Sequence, residues 1–419
     1  MLPIVQYERR GSGARINLSV RGDGLNGSWR YQWTTDVKLN VLAGITATLA
    51  LIPDSLAFSF MAGVPPTVGI YASICILLVI TFLGGRPGMI SAAAGSMAVL
   101  MLDLVKEHGI HYLFAATVLT GLIQYLMGAF KLGKLVNYVP QPVLTGFVNA
   151  LAIMIFMSQL RYFKHASWTM YALAAVALVI IYILPRYFKA IPSPLAAVIL
   201  LTFGVWAFGI HGVSQIGDIA AIDVSLPSFL LPDVPFSWET LMIILPYSLS
   251  LAVVGFTETM LTQNLLDDTT GERTDKNREM RGQGIANFVA GFFGGMAGCA
   301  LVAESVLNVR MGGRNRLSTL VAALFLLLLV VALGDLLSLV PMAALVGIML
   351  MVCAAIFDWR SIFKVREVPA SETIVMVVTV GAVIVTHDLA IGVIAGVIVS
   401  ALFALLKRRS TRSRSAAEG

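Results

Sequence analysis

The chain has 419 residues, 58% of them hydrophobic and only 12% charged, with a mean hydropathy of +0.86. An average soluble domain carries about 25% charged residues, so this composition excludes an ordinary soluble fold and points to a polytopic membrane protein. The net charge of +6 and the pI near 9.3 would suit nucleic acid, but the placement of the basic residues has a topological cause, and no nucleic-acid partner is expected.

Residues 1–35 read as a cytoplasmic arm: Arg9, Arg10, Arg15, Arg21 and Arg30 are followed by Trp29, Tyr31 and Trp33 at the level of the lipid headgroups. The first span is then expected to serve as the insertion signal. Apolar segments follow near 37–60, 68–83, 89–105, 111–130, 136–160, 167–185 and 191–211. A second set lies near 239–264, 283–297, 300–310, 317–333, 341–357, 371–386 and 389–407. Most approach the ~20 residues that cross a bilayer. The third and tenth segments are shorter and follow glycine or small-residue runs, which marks them as discontinuous helices.

Charge sorting supports fourteen spans with both termini cytoplasmic. The inner loops would hold Arg86, Lys131, Lys134, Arg186, Lys189, Arg273, Lys276, Arg278, Arg281, Arg310, Arg314, Arg316, Arg360, Lys364 and Arg366. Only Lys106, Arg161 and Lys164 would fall outside. The domain reading is an arm at 1–35, a first repeat at 36–212, an extracytoplasmic connector at 213–238, a second repeat at 239–408 and a basic cytoplasmic tail at 409–419.

A repeat supports the halves. Leu132-Gly133-x-Leu135 followed by Val139-Pro140-x-x-x-Leu144-x-Gly146 recurs as Leu333-Gly334-x-Leu336 followed by Val340-Pro341-x-x-x-Leu345-x-Gly347. Seven spans per half, an odd number, invert the second copy, as in many secondary transporters whose site lies between the repeats. More weakly, Gly88 to Met97 corresponds to Gly295 to Glu304. The run from Gly294 to Ser305 organises the chain. Glycines at 291, 294, 295 and 298 break the helix at membrane depth, and it must restart near Ala300 to Ala303. The first N–H groups of the restarted helix carry about half a positive charge, a ready anion site.

At these residues the chain resembles the sulfate permease (SulP) family of anion transporters, whose fold is shared with nucleobase transporters. The matching stretches are Ala43-Gly44-Ile45-Thr46, Ile52-Pro53-Asp54-Ser55-Leu56-Ala57-Phe58, Ala62 to Ala72, Ile90-Ser91, Val139 to Phe147, Glu258-Thr259-Met260-Leu261-Thr262, Gly282 to Asn287, and Asn308 with Gly312-Gly313-Arg314. The resemblance covers about 36–408. It implies an all-α polytopic membrane protein of fourteen transmembrane segments in a 7+7 inverted repeat. Its core domain (spans 1–4 and 8–11) would work against a gate domain (spans 5–7 and 12–14), in a homodimer. It also implies a bacterial inner membrane protein and no enzyme. Three departures stand out: the sequence ends twelve residues after Lys407, so the STAS domain of many relatives is expected to be absent, and Asp54 and Glu304 replace positions that are often uncharged and arginine.

The expected substrate lining is Asp54 and Phe58, the helix end at Ala94, Gly95, Ser96 and Met97, and the end at Leu301, Val302, Ala303 and Glu304. Glu258 and Thr262, four residues apart on one helix face, are the expected cation-coupling pair. The family carries a proton or a bound sodium ion at the Glu258 position. Carboxylates at membrane depth cost about 3 kcal/mol each, so each needs a reason. The bland readings are a buried hydrogen bond for Glu258, a cap for Glu304 and a polar residue at the Pro53 bend for Asp54. Protonating Glu258 or Glu304, or binding sodium beside Glu258, would relieve repulsion and admit an anion.

The reading is a secondary active transporter of sulfate, bicarbonate or a carboxylate, coupled to H+ or Na+. The alternative is a proton-coupled transporter of a neutral nucleobase, with Glu258 and Glu304 bonding the ring. No cofactor is expected beyond a coupling ion. Cys75, Cys299 and Cys353 read as small core residues, and the five histidines form no ligand cluster. Asn149, Asn264 and Asn287 read as hydrogen bonders between helices, and Asp267 to Lys276 as a solvated cytoplasmic turn.

Overall fold

A computed structural model describes residues 31–133, 140–164, 166–187, 192–210, 212–219, 226–363, 368–386 and 391–403. Most of the predicted arm, the basic tail, and Leu135 and Val139 of the repeat lie outside the described residues.

The first half comprises α1 (Tyr31–Thr34), α2 (Val37–Ala62), α3 (Pro66–Leu83), β1 (Ser91–Ala93), α4 (Gly95–His108), α5 (Ile110–Ala129), α6 (Gln141–Phe163), α7 (Trp168–Tyr187) and α8 (Ser193–Ala207). A short α9 (Ile216–Ile219) lies in the connector. The second half comprises α10 (Trp238–Thr270), α11 (Lys276–Phe292), β2 (Gly298–Ala300), α12 (Val302–Arg310), α13 (Arg316–Ser338), α14 (Met342–Ile356), α15 (Trp359–Phe363), α16 (Ala370–Thr386) and α17 (Ile391–Phe403). Leaving out α1, α9 and α15 and joining each strand to the helix after it gives the fourteen predicted segments. Spans 3 and 10 are the discontinuous ones, as expected. They begin as β-strands, so the fold is not wholly helical.

Local chemistry sets the boundaries. α2 stops at Gly63, which takes φ 75°, and Pro65-Pro66 then starts α3 with a fixed φ and no N–H to satisfy. The Ser237 hydroxyl accepts from the Thr240 N–H at the start of α10, and Asp275 accepts from the N–H groups of Asn277 and Arg278 at the start of α11. Among the described residues, six helices (α2, α3, α5, α6, α7 and α10) are long and apolar enough to cross a membrane by themselves.

The packing repeats with the halves exchanged. α5 packs on α11 and, correspondingly, α13 packs on α3; α6 packs on α16, and α14 on α7. The repeated glycines sit at these crossings: Gly146 meets Thr379 of α16, and Gly347 meets Ala177 of α7. Small residues let helix backbones approach where lipid removes any hydrophobic drive between them. α2 to α5 with α10 to α13 form the core, and α6 to α8 with α14, α16 and α17 form the gate.

One end of the molecule carries Arg86, Arg278, Arg314, Arg316 and Arg360 and is called the basic face; the connector lies at the other. The turn from 267 to 276 is more structured than its composition suggests. Asp267 to Thr270 close α10, and Asp267 Oδ1 lies 3.1 Å from Nε of the buried Arg86. Arg86 also pairs with Glu272 and donates to Thr270 Oγ1 at 2.9 Å. Arg316, equally buried, donates to the carbonyls of Thr81 and Gly84, each at 2.6 Å.

Candidate functional site: two half-helix ends on one strand pair

β1 and β2 pair antiparallel at the centre of the core, Ser91 opposite Ala300, Ala92 opposite Cys299 and Ala93 opposite Gly298. Each strand lies 207 residues from its counterpart (Ser91 to Gly298), and each half-helix starts two residues after its strand. Ala92 therefore pairs with its own repeat equivalent, which puts the pseudo-twofold axis through the strand pair.

Backbone groups at this depth need partners from the protein itself. On the far edge of β2, Asn287 brackets Gly298, its Oδ1 accepting from the N–H and its Nδ2 donating to the C=O, both at 2.9 Å. Gln283 donates to the same carbonyl at 2.9 Å, and Gln124 accepts from Asn287 at 2.7 Å. Thr259 accepts from the Ala300 N–H and Thr262 donates to the Ala300 C=O, each at 3.3 Å. Beside β1, Ser73 accepts from the Ala93 N–H at 3.3 Å and meets Ser55 at 2.9 Å. Beyond the strands, Ser305 and Asn308 of α12 bond the backbone of Ile90 and Gly88.

Neither half-helix is capped by a side chain: the N-cap residues are Ala94 and Leu301. The positive ends of both dipoles thus meet at the strand pair without a side-chain cap, and only α12 carries an acid, Glu304, in its first turn. The Leu301 N–H is used by the Ile90 carbonyl and the Met97 N–H by Ala94. Among the described residues, that leaves Gly95 and Ser96 on α4, and Val302, Ala303 and Glu304 on α12, as donors without a backbone acceptor.

The predicted residues are distributed unevenly around these ends. The Phe58 ring covers Gly95, where a Cβ would come within 2.7 Å of it. Ser96 donates to Glu258 Oε2, and Cys299 Sγ donates to the same oxygen at 3.1 Å. Glu304, in the first turn of α12, and Asp54 of α2 are both buried, and their two helices pack on each other. Three acids thus sit on α2, α10 and α12, the helices that border the strand pair. Thr262 is on Ala300 rather than on Glu258, and the Met97 side chain packs against Gly255 of α10. Leu301 is buried, whereas Val302 and Ala303 lie on an exposed face of α12.

The sequence reading passed over Cys299, Thr259, Gln124 and Gln283. A polar side chain inside an apolar run was the signal for the last three; a cysteine in such a run carried none. Asn287 proves to be a strand clamp. The buried basic side chains among the described residues, Arg86 and Arg316, are held at the basic face, away from the acids. A separate cavity of about 620 Å³ lies between core and gate, lined by Leu100, Asp103, Met154, Tyr247 and Ser250 among others, and includes none of the predicted site residues.

An inverted repeat of seven-span halves, with two uncapped half-helices meeting at a central strand pair, defines a membrane transporter of the core-and-gate class. The sulfate permease family model matches residues 37–167 and 160–379, and the chain belongs to that family. The Bacillus subtilis (strain 168) protein named "Putative sulfate transporter YbaR" is 52% identical over 389 residues, 93% of this chain and 81% of that one. The "Bicarbonate transporter BicA" of Picosynechococcus is 27% identical, covering 90% of this chain and 72% of its own. The transmembrane domain of a cyanobacterial BicA superposes with TM-score 0.74 at 26% identity, covering 88% of this chain and 98% of that domain. SLC26A9 shares the fold, with TM-score 0.78 at 18% identity over 91% of this chain and 67% of its own. These relatives are transporters of anions and not enzymes.

Proposed function

We propose that the protein is a secondary transporter of a small anion of the sulfate, bicarbonate or carboxylate class, working by alternating access and driven by H+ or Na+. The observation that carries this reading is the pair of uncapped half-helix ends on one strand pair, with carboxylates and, among the described residues, no buried basic side chain beside them. Free N–H groups and helix dipoles attract an anion, and the ionised acids repel it. Loading Glu258 with a proton or a sodium ion turns the balance toward binding. Thr262 has donated its hydrogen to Ala300 but keeps a lone pair that a cation could use. The basic face, with Arg86, Arg278, Arg314 and Arg316, belongs in the cytoplasm, which puts both termini there. The cell membrane of a bacterium and a homodimer complete the proposal.

The test is uptake of sulfate, bicarbonate, fumarate and uracil into proteoliposomes, with and without imposed proton and sodium gradients. Wild-type protein accumulates an anion, and Glu258→Gln lowers gradient-driven accumulation by about tenfold, the equivalent of 1.4 kcal/mol, while anion exchange persists. Unchanged cation dependence in Glu258→Gln would remove Glu258 from the coupling. Uptake of uracil alone would move the protein to the nucleobase class.

A further inference from the structure

The offset that pairs Ala92 with Cys299 also matches the half-helices residue by residue, so Ser96 of α4 corresponds to Ala303 of α12, and Asp103 to Arg310. From the strand pair the two half-helices run to opposite ends of the molecule. α4 ends beside the connector, where the Asp233 N–H bonds His111 Nδ1, and α12 ends at the basic face, where the Arg314 and Asn315 N–H groups bond Asn40 Oδ1. Asp103 and Arg310 each lie two turns beyond Ser96 and Ala303 on the same helix face, about 10 Å along the axis. Their surroundings differ. On α12, Glu304, Ser305, Asn308 and Val309 are buried, while Val302, Ala303 and Arg310 are exposed, with Val306 and Leu307 half-buried between them. The Val302 and Ala303 N–H groups have no backbone acceptor among the described residues, and lipid offers none, so this face borders water that reaches the basic face. Arg310 makes no ion pair among the described residues. On α4 the first turn is buried, and the cavity between core and gate comes no nearer to it along the helix than Val99, with Asp103 the only charged residue in its lining. The site is open toward the basic face and shut toward the connector.

We infer that Arg310 gathers the transported anion to the α12 end from the basic face, and that Asp103, at the equivalent place in the outer cavity, opposes the same approach from the connector side. The protein therefore binds its anion more tightly from the basic face. This rests on the transport reading above and deepens it, adding a specificity-determining residue and a sidedness. A guanidinium stays charged at any working pH, and its planar fork matches two oxygens of a sulfate, bicarbonate or carboxylate. One unit charge about 10 Å from an anion changes its binding by about twofold in bulk water, and by about fifteenfold at the lower effective dielectric near a protein surface. The sign is favourable at Arg310 and unfavourable at Asp103. Glu304 lies on the buried face of α12, so an anion moving along the exposed face meets Arg310 first. Lys106 and Glu107, both exposed at the end of α4, offset each other and leave Asp103 to set the sign there.

The experiment uses membrane vesicles of both orientations, right-side-out ones presenting the connector end to the medium and inverted ones the basic face. Initial rates of exchange of labelled sulfate, bicarbonate or fumarate against the same anion inside give a KM for each face. Wild type should have the lower KM in inverted vesicles. Arg310→Gln should raise that KM by about twofold to fifteenfold, with a smaller change in kcat and none in the right-side-out KM. Arg310→Lys should keep most of the wild-type value, and raising salt from about 10 mM to about 300 mM should shrink the difference. Asp103→Asn should lower the right-side-out KM alone. Arg281→Gln, which removes an exposed charge of α11 at the basic face, should match wild type. An inverted KM that Arg310→Gln does not move, or equal shifts at both faces, overturns the assignment. Thermal unfolding of the purified protein with the same three anions separates this from failure of the transport reading. No stabilisation of wild type by any of them would remove both. Equal stabilisation of wild type and Arg310→Gln across the same concentrations would remove the role of Arg310 alone.

Discussion

Cys299 is a small buried residue whose thiol has a specific partner. Its S–H points at the carboxylate oxygen that also receives the Ser96 hydroxyl. Hydrogen bonds to charged groups contribute about 1.5 to 3 kcal/mol, so Cys299→Ala should weaken whatever state has Glu258 ionised. The expected readout is a several-fold shift in the cation concentration for half-maximal uptake, with Cys299→Ser restoring the donor and most of the effect. Equal shifts in both variants would make Cys299 a packing residue only. Thr262 shows where helix spacing stops being informative. An i,i+4 pair does share a face with Glu258, but the strand beside that face captures the hydroxyl, and β2 could not be seen in a run of Gly, Cys and Ala. Asp54 and Glu304 each stand out in the sequence as acids within apolar runs; the packing of α12 against α2 that brings their helices together does not.

The strand pair is the element on which the site depends, and Gly298 is its tightest point. A Cβ there would overlap the carbonyl of Ala92 on the facing strand. Gly298→Ala must therefore push the strands apart and strain the Asn287 clamp on the same residue. Overpacking of this kind costs about 1 to 3 kcal/mol. A thermal-unfolding scan should show a lower Tm, and stabilisation by the transported anion should be lost even at temperatures where the variant is folded. Undiminished anion stabilisation would mean that the half-helix ends keep their places without the strand contact. The helix break itself was plain in the sequence from four glycines within eight residues, 291 to 298. Past the break the sequence indicates only a restarted helix, which is correct for α12 from Val302 but omits the three paired residues before it. Three residues of alanine, serine, glycine and cysteine have no strand signature of their own; each strand exists because the other supplies its hydrogen bonds.

At the scale of the molecule, the halves are tied by charge at the basic face as well as by the central strands. Arg86, between α3 and β1, is held by Asp267 and Glu272 from the end of α10 and the turn after it. Removing one partner of a buried ion pair costs about 3 to 5 kcal/mol, since the other is left uncompensated. Arg86→Met should lower the unfolding midpoint in chemical denaturation by a corresponding amount, and Arg86→Met/Asp267→Asn should recover part of it. The composition of 267–276 concealed this, because an acidic, threonine-rich turn looks solvated until its basic partner, 181 residues before Asp267, is placed beside it. The fold itself was more legible, because the repeated Leu-Gly and Val-Pro motif and the odd number of spans per half imply an inverted pair before any helix is placed.

The self-pairing of Ala92 with Cys299 bears on the ancestry of the site. Two separate half-length chains related by the same axis would also meet at this strand pair, but as identical copies they would have to present identical contacts at both helix ends. Such a dimer would carry the same residues at both ends, whereas Ser96 and Met97 of α4 correspond here to Ala303 and Glu304 of α12. Joining the copies in a single gene releases that constraint: each end can accept its own substitutions, so a hydroxyl can stand in the first turn of one half-helix and a carboxyl in that of the other.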